Sequence, residues 1–71
     1  MSTTIMAPEE VLERATALAK SYRNLDIMER TAILHGYLEL TKLDPDNVAY
    51  RKHVDDAVAN LVQAASESFV L

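Results

Sequence analysis

Apolar residues recur along this chain at intervals of three and four, the spacing that stacks side chains on one face of an α-helix. In the first stretch Val11, Ala15, Leu18 and Tyr22 form one narrow seam, which Leu12 and Ala19 widen on one side. Arg14, Lys20 and Arg23 lie off it. Alanine at positions 15 and 19 lets a neighbouring helix approach closely. Pro8 suits the first helical position, where its missing N–H would have no partner anyway. Glu9 and Glu10 then place negative charge at the positive end of the helix dipole. The pattern predicts a helix over residues 8–23, preceded by a tail over residues 1–7.

The segment LDIMERTAILHGYLELTKL reads as a second helix, over residues 27–42, with more apolar surface than one neighbour covers. With Ile27 as origin and about 100° per residue, Leu34 and Leu38 fall within about 20° of it. Ile33, Tyr37 and Leu40 occupy an adjoining sector at about 240°, 280° and 220°. The combined arc exceeds the ~100° stripe that suffices to face one core. Asn24 suits a left-handed stop to the first helix. Asp26 resembles an N-cap for the second, with Glu29 completing a capping box. Gly36 interrupts the helix interior, at a cost of ~1 kcal/mol relative to alanine. A close approach by another helix is one reason for a glycine there.

Leu43-Asp44-Pro45-Asp46-Asn47 is the clearest break in the chain. Here Asp44 is expected to cap a third helix that carries Pro45 in its first turn. The turn is similar to the one between the helices of a tetratricopeptide repeat. Positions Lys20 and Asn24 depart from that repeat's pattern, and the chain has no room for a stable array. The third helix is expected over residues 45–66, with Tyr50, Val54, Ala57, Leu61 and Ala64 as its seam. The predicted class is therefore all-α, a helical hairpin or three-helix bundle in one domain over residues 8–71. Leu18, Tyr22, Leu34, Leu38, Tyr50, Val54 and Leu61 are the expected core or dimer residues. Phe69, Val70 and Leu71 either dock on the bundle or present an apolar end to a partner.

Size changes this picture. Seventy-one residues bury little surface, and one core of this size supplies only ~3–5 kcal/mol. There is no cysteine, hence no disulfide or thiolate metal site to compensate. That leaves self-association or unusually well-packed helices, and a homodimer is expected. The formal charge of −4 and isoelectric point near 4.9 disfavour tracking of nucleic-acid phosphates. No apolar run reaches bilayer length, and the first residues lack the features of a signal peptide. The expected location is cytoplasmic.

Candidate chemistry is sparse. His35 and His53 stand on different predicted helices, and neither belongs to a metal-binding motif. Glu9-Glu10 and Asp55-Asp56 are sequence neighbours, so their side chains diverge by about 100° and do not form an acid–base dyad. No nucleophile has an evident base. No enzyme activity, cofactor or metal is expected. Tyrosine brings large contact area with few rotatable bonds, and Tyr37 on the second sector is the expected anchor for a partner. Ile33 and Leu40 lie beside it, with Arg23 and Arg30 at the corner between the first two helices.

The small acidic helical plan, with the tyrosine-bearing segment TAILHGYLELTKLD, resembles small phage-encoded proteins that bind and inhibit host regulators, of the quorum-sensing anti-activator type. The likeness is one of size, composition and texture, and it transfers no site residue. It implies a dimer in the host bacterial cytoplasm that blocks a LuxR-type transcription regulator and a pilus-assembly ATPase. The residues themselves lead to a non-enzymatic module that docks on a larger protein and alters its activity. A structural or adaptor subunit is the alternative. A helical DNA-binding regulator is the third reading, opposed by Asp46, Asp55 and Asp56 around Arg51 and Lys52.

Overall fold

The computed structural model describes residues 7–69, with side chains through Glu67. Three helices pack against one another: α1 (Pro8–Tyr22), α2 (Leu25–Leu43) and α3 (Val48–Phe69). No strand occurs among the described residues, and the all-α three-helix expectation holds. The expected tail lies mostly outside the described residues, as do the side chain of Phe69 and all of Val70 and Leu71.

The helix ends differ from those predicted. Helix α1 stops at Tyr22, and Arg23, not Asn24, takes the left-handed conformation at φ 52° and ψ 40°. The N–H groups of Arg23 and Asn24 both donate to the Ala19 carbonyl, closing the last turn. Asn24, in extended conformation, then caps the next helix. Its side-chain oxygen accepts from the Ile27 N–H at 3.2 Å, so α2 begins at Leu25, two residues before its expected start. The predicted Asp26 cap is not used. Asp26 instead sits inside the first turn and pairs with Arg30.

The second connection is corrected in the same way. Asp44 to Asn47 form a turn closed by the Asn47 N–H donating to the Asp44 carbonyl at 3.1 Å, with Pro45 inside it. The α3 cap is Asn47, whose side-chain oxygen accepts from the Tyr50 N–H at 3.2 Å. Helix α3 therefore starts at Val48 and not at Pro45. In both connections an asparagine satisfies the third N–H of the helix it precedes.

Helices α2 and α3 form an antiparallel hairpin, and α1 packs on both. The core comprises Val11, Ala15, Leu18 and Ala19 from α1, Ile27 and Leu34 from α2, and Val54, Ala57, Leu61 and Ala64 from α3. Leu38 is half-buried against it. Thr31 is the one buried polar residue among those described, and its hydroxyl donates to the Ile27 carbonyl of its own helix at 2.6 Å. Among the described residues, Ile27, Leu34 and Leu61 are the large side chains that are fully enclosed. The buried alanines keep the helices close, and the molecule is a slab with extents of 40 × 32 × 15 Å. Tyr22 is not a core residue: it ends α1, projects past the packed layer and is 63 % exposed. Tyr50 is half-buried.

A candidate docking face on the central helix

The core takes the sector of α2 around Ile27, Thr31, Leu34 and Leu38. The side toward α3 holds Arg30 and Tyr37, and the side toward α1 holds Met28 and His35. What remains is the outer face, about 140° to 240° from Ile27, where Leu25, Ala32, Ile33, Gly36, Leu40 and Leu43 align. All six are exposed. Ile33 keeps 51 % of its surface in solvent and Leu43 keeps 83 %. A Cβ built on Gly36 would meet no atom within 4 Å. Val48, across the turn from Leu43, is also exposed.

The five residues expected to meet a partner are divided by the fold. Ile33 and Leu40 stand together on the outer face. Tyr37 turns toward α3, where its ring stacks on His53 with centroids 4.8 Å apart and planes 17° from parallel. It is half-buried and helps seal the hairpin. Arg30 is also committed within the chain. Its Nε donates to the Asp26 carboxylate at 3.1 to 3.2 Å, and one terminal nitrogen reaches the Asn60 carbonyl of α3 at 3.4 Å. Arg23 serves through its backbone as the α1 stop, with its side chain in solvent.

Leu25, Leu43 and Val48 were not singled out from the sequence. The signal was present for the first two. Both lie at about 160° from Ile27, on either side of Gly36 at about 180°. Counting the wide apolar arc outward from Gly36 places them on one face with Ile33 and Leu40.

The charges around this face are mainly negative. Glu39 pairs with Lys42 at 3.5 Å, and Asp26 pairs with Arg30. Each cation of α2 is thus matched by a carboxylate of the same helix. Glu29, at about 200° from Ile27, lies within the apolar strip and forms no ion pair among the described residues. Asp44 and Asp46 follow at the turn.

A second apolar concavity runs between α1 and α3. It encloses about 480 Å³ and is walled by Ala15, Ala17 and Leu18 on one side and by Leu61, Val62 and Ala65 on the other. Arg14 is its one charged lining residue, and Ser21 and Ser66 supply hydroxyls with no acid or histidine beside them in the lining. Among the described residues no three His, Asp or Glu side chains converge as metal ligands. No described helix is long and apolar enough to cross a membrane. Comparison with protein-family models, with curated proteins and with solved structures found no match.

Proposed function

We propose that this chain is a non-enzymatic protein-binding module that docks on a larger protein through the outer face of α2 and occludes the surface it covers. The observation that carries this reading is the exposure of Ile33 and Leu40 around Gly36 on a helix whose opposite side packs into the core through Ile27 and Leu34. An apolar strip left in solvent costs solubility and invites association, and contiguous strips of this kind mark interaction sites. The sharper form, an anti-activator that blocks a bacterial transcription regulator, rests on the resemblance of TAILHGYLELTKLD and on the acidic balance of the chain. An acidic surface steers encounter toward a basic one.

Site-specific photo-crosslinking tests the docking reading. A photoreactive amino acid at Ile33 is expected to yield a discrete adduct in bacterial cells, and the same group at Asp55 on α3 is expected to yield none. The partner identified from the adduct should lose activity when the purified chain is added, and should keep it when Ile33→Asp is added instead. Equal adducts from both positions, or inhibition that Ile33→Asp leaves intact, would refute the reading.

The adaptor-subunit reading is favoured by one observation, the presence of only three large fully enclosed side chains among the described residues. It predicts that the isolated chain unfolds without a cooperative transition. A single sigmoidal melt in circular dichroism would count against it.

A further inference from the structure

We propose that the occupant of the α2 outer face is an amphipathic helix of another protein, with an apolar stripe flanked by lysine or arginine, that crosses α2 in close contact at Gly36. This inference rests on the docking reading and adds the chemistry of the partner. Its first support is the glycine itself. Gly36 has no positive φ, and no side chain or neighbouring backbone fills the space where its Cβ would stand. The fold therefore accepts alanine there and would gain helix propensity from it. Nothing within the fold requires a glycine at this position. Ala32, one turn earlier on the same face, lowers the surface further, while Ile33 and Leu40 rise beside the crossing point. Small residues between larger ones let two helix backbones approach while side chains interlock around them.

The second support is the sign of the charge. Arg30 and Lys42 are each engaged by Asp26 and Glu39 on α2. Glu29 lies in the strip one turn before Ile33 with no ion pair among the described residues, and Asp44 and Asp46 stand beyond Leu43. A partner helix with basic flanks matches Glu29 and the carboxylates at the turn. A second copy of this chain brings its own Glu29 and a further charge of −4 to the same contact, while the cations within α2, Arg30 and Lys42, are already paired with carboxylates of their own helix. Charge complementarity thus selects a basic heterologous helix over the homodimer expected from chain length. The face from Leu25 to Leu43 is about 27 Å long, enough to seat about five turns of a partner.

Two synthetic helices with the same leucine stripe, each about 18 residues long, test the proposal, one flanked by lysine and the other by glutamate. Binding is followed by amide chemical shifts of the labelled full chain. The lysine peptide is expected to bind, with the largest shifts at Ile33, Gly36 and Leu40, and to weaken about tenfold or more between ~0.05 and ~0.5 M salt. The glutamate peptide is expected not to bind. Gly36→Leu should weaken the lysine peptide by at least about tenfold while the melting temperature stays level or rises, which separates lost docking from lost folding.

Equal binding of both peptides, shifts centred on Glu9 and Glu10 or on the α1–α3 groove, or full binding by Gly36→Leu would overturn the proposal. So would light scattering that shows a dimer whose dissociation shifts Gly36, since a second copy would then be the occupant. If the peptides fail while the Ile33 crosslink still forms and inhibition still depends on Ile33, the basic-helix assignment falls and the docking reading stands.

Discussion

At the residue scale, Arg23 carries the clearest local strain. A side chain with a Cβ in the left-handed region costs roughly 1–2 kcal/mol relative to the right-handed form, and glycine escapes that cost. Arg23→Gly should therefore stabilise the chain by about 1 kcal/mol, which in a domain of this size raises the melting temperature by roughly 4–8 °C. Arg23→Ala keeps the Cβ and should gain little, so a thermal melt of the pair separates backbone relief from loss of charge. Gly36 is the converse case. It has an ordinary helical conformation and open space, so Gly36→Ala should stabilise by ~1 kcal/mol in chemical denaturation. A destabilised Gly36→Ala would show that the glycine is needed by the fold, and the crossing proposal would lose its first support.

At the element scale, the two connections are organised by asparagine. Asn24 and Asn47 each accept from the N–H three residues on, and each helix starts where that bond permits. Asn47→Ala should cost about 1 kcal/mol, the usual worth of a cap. Asp44→Ala should cost only a few tenths, because its carboxylate makes one exposed bond to the Asn47 amide at 3.3 Å. Urea denaturation of both variants orders the two effects, and a larger loss at Asp44 would restore the cap predicted from sequence. Asp26 and Asp44 stand near the same helix starts as Asn24 and Asn47 and have the same capping chemistry. Local sequence offers several oxygen acceptors there, and the angle at which the chain turns selects among them.

At the scale of the whole molecule, the packing of three helices through alanine-rich contacts leaves very few large side chains enclosed. Leu61 is one of them, at 0 % exposure. Replacing a buried leucine by alanine costs about 2–5 kcal/mol, and a core of this size supplies only ~3–5 kcal/mol in total. Leu61→Ala should therefore lose its cooperative melt at or below room temperature, while Ile33→Ala, on the outer face, should melt close to the parent. A similar loss from both would mean that the outer face of α2 is buried in solution. The same thin slab explains why Tyr22 leaves the core. Its azimuth on α1 matches Val11, but it stands at the last helical residue, past the turns that α2 and α3 cover.

The number and order of the helices, and most of the seam positions that form the core, follow from local periodicity alone. Val11, Ala15 and Leu18, Ile27 and Leu34, and Val54, Ala57 and Leu61 all pack as their spacing predicts, because helical periodicity is a local property that any packing must respect. The sequence also marked the segment from Leu25 to Leu43 as carrying more apolar surface than one neighbour covers. Tertiary structure alone decided which part of that helix stays open. The periodicity places Tyr37 and Ile33 only about 40° apart on the wheel, too close to say which one α3 covers. The line of approach of α3 assigns Tyr37 to the stack on His53 and Arg30 to the Asn60 carbonyl, and leaves Ile33, Gly36 and Leu40 facing outward. That line depends on where the turn from Asp44 to Asn47 redirects the chain and on how closely the alanines of α1 and α3 let the helices meet. Both are relations between elements, and no single stretch of the chain encodes them.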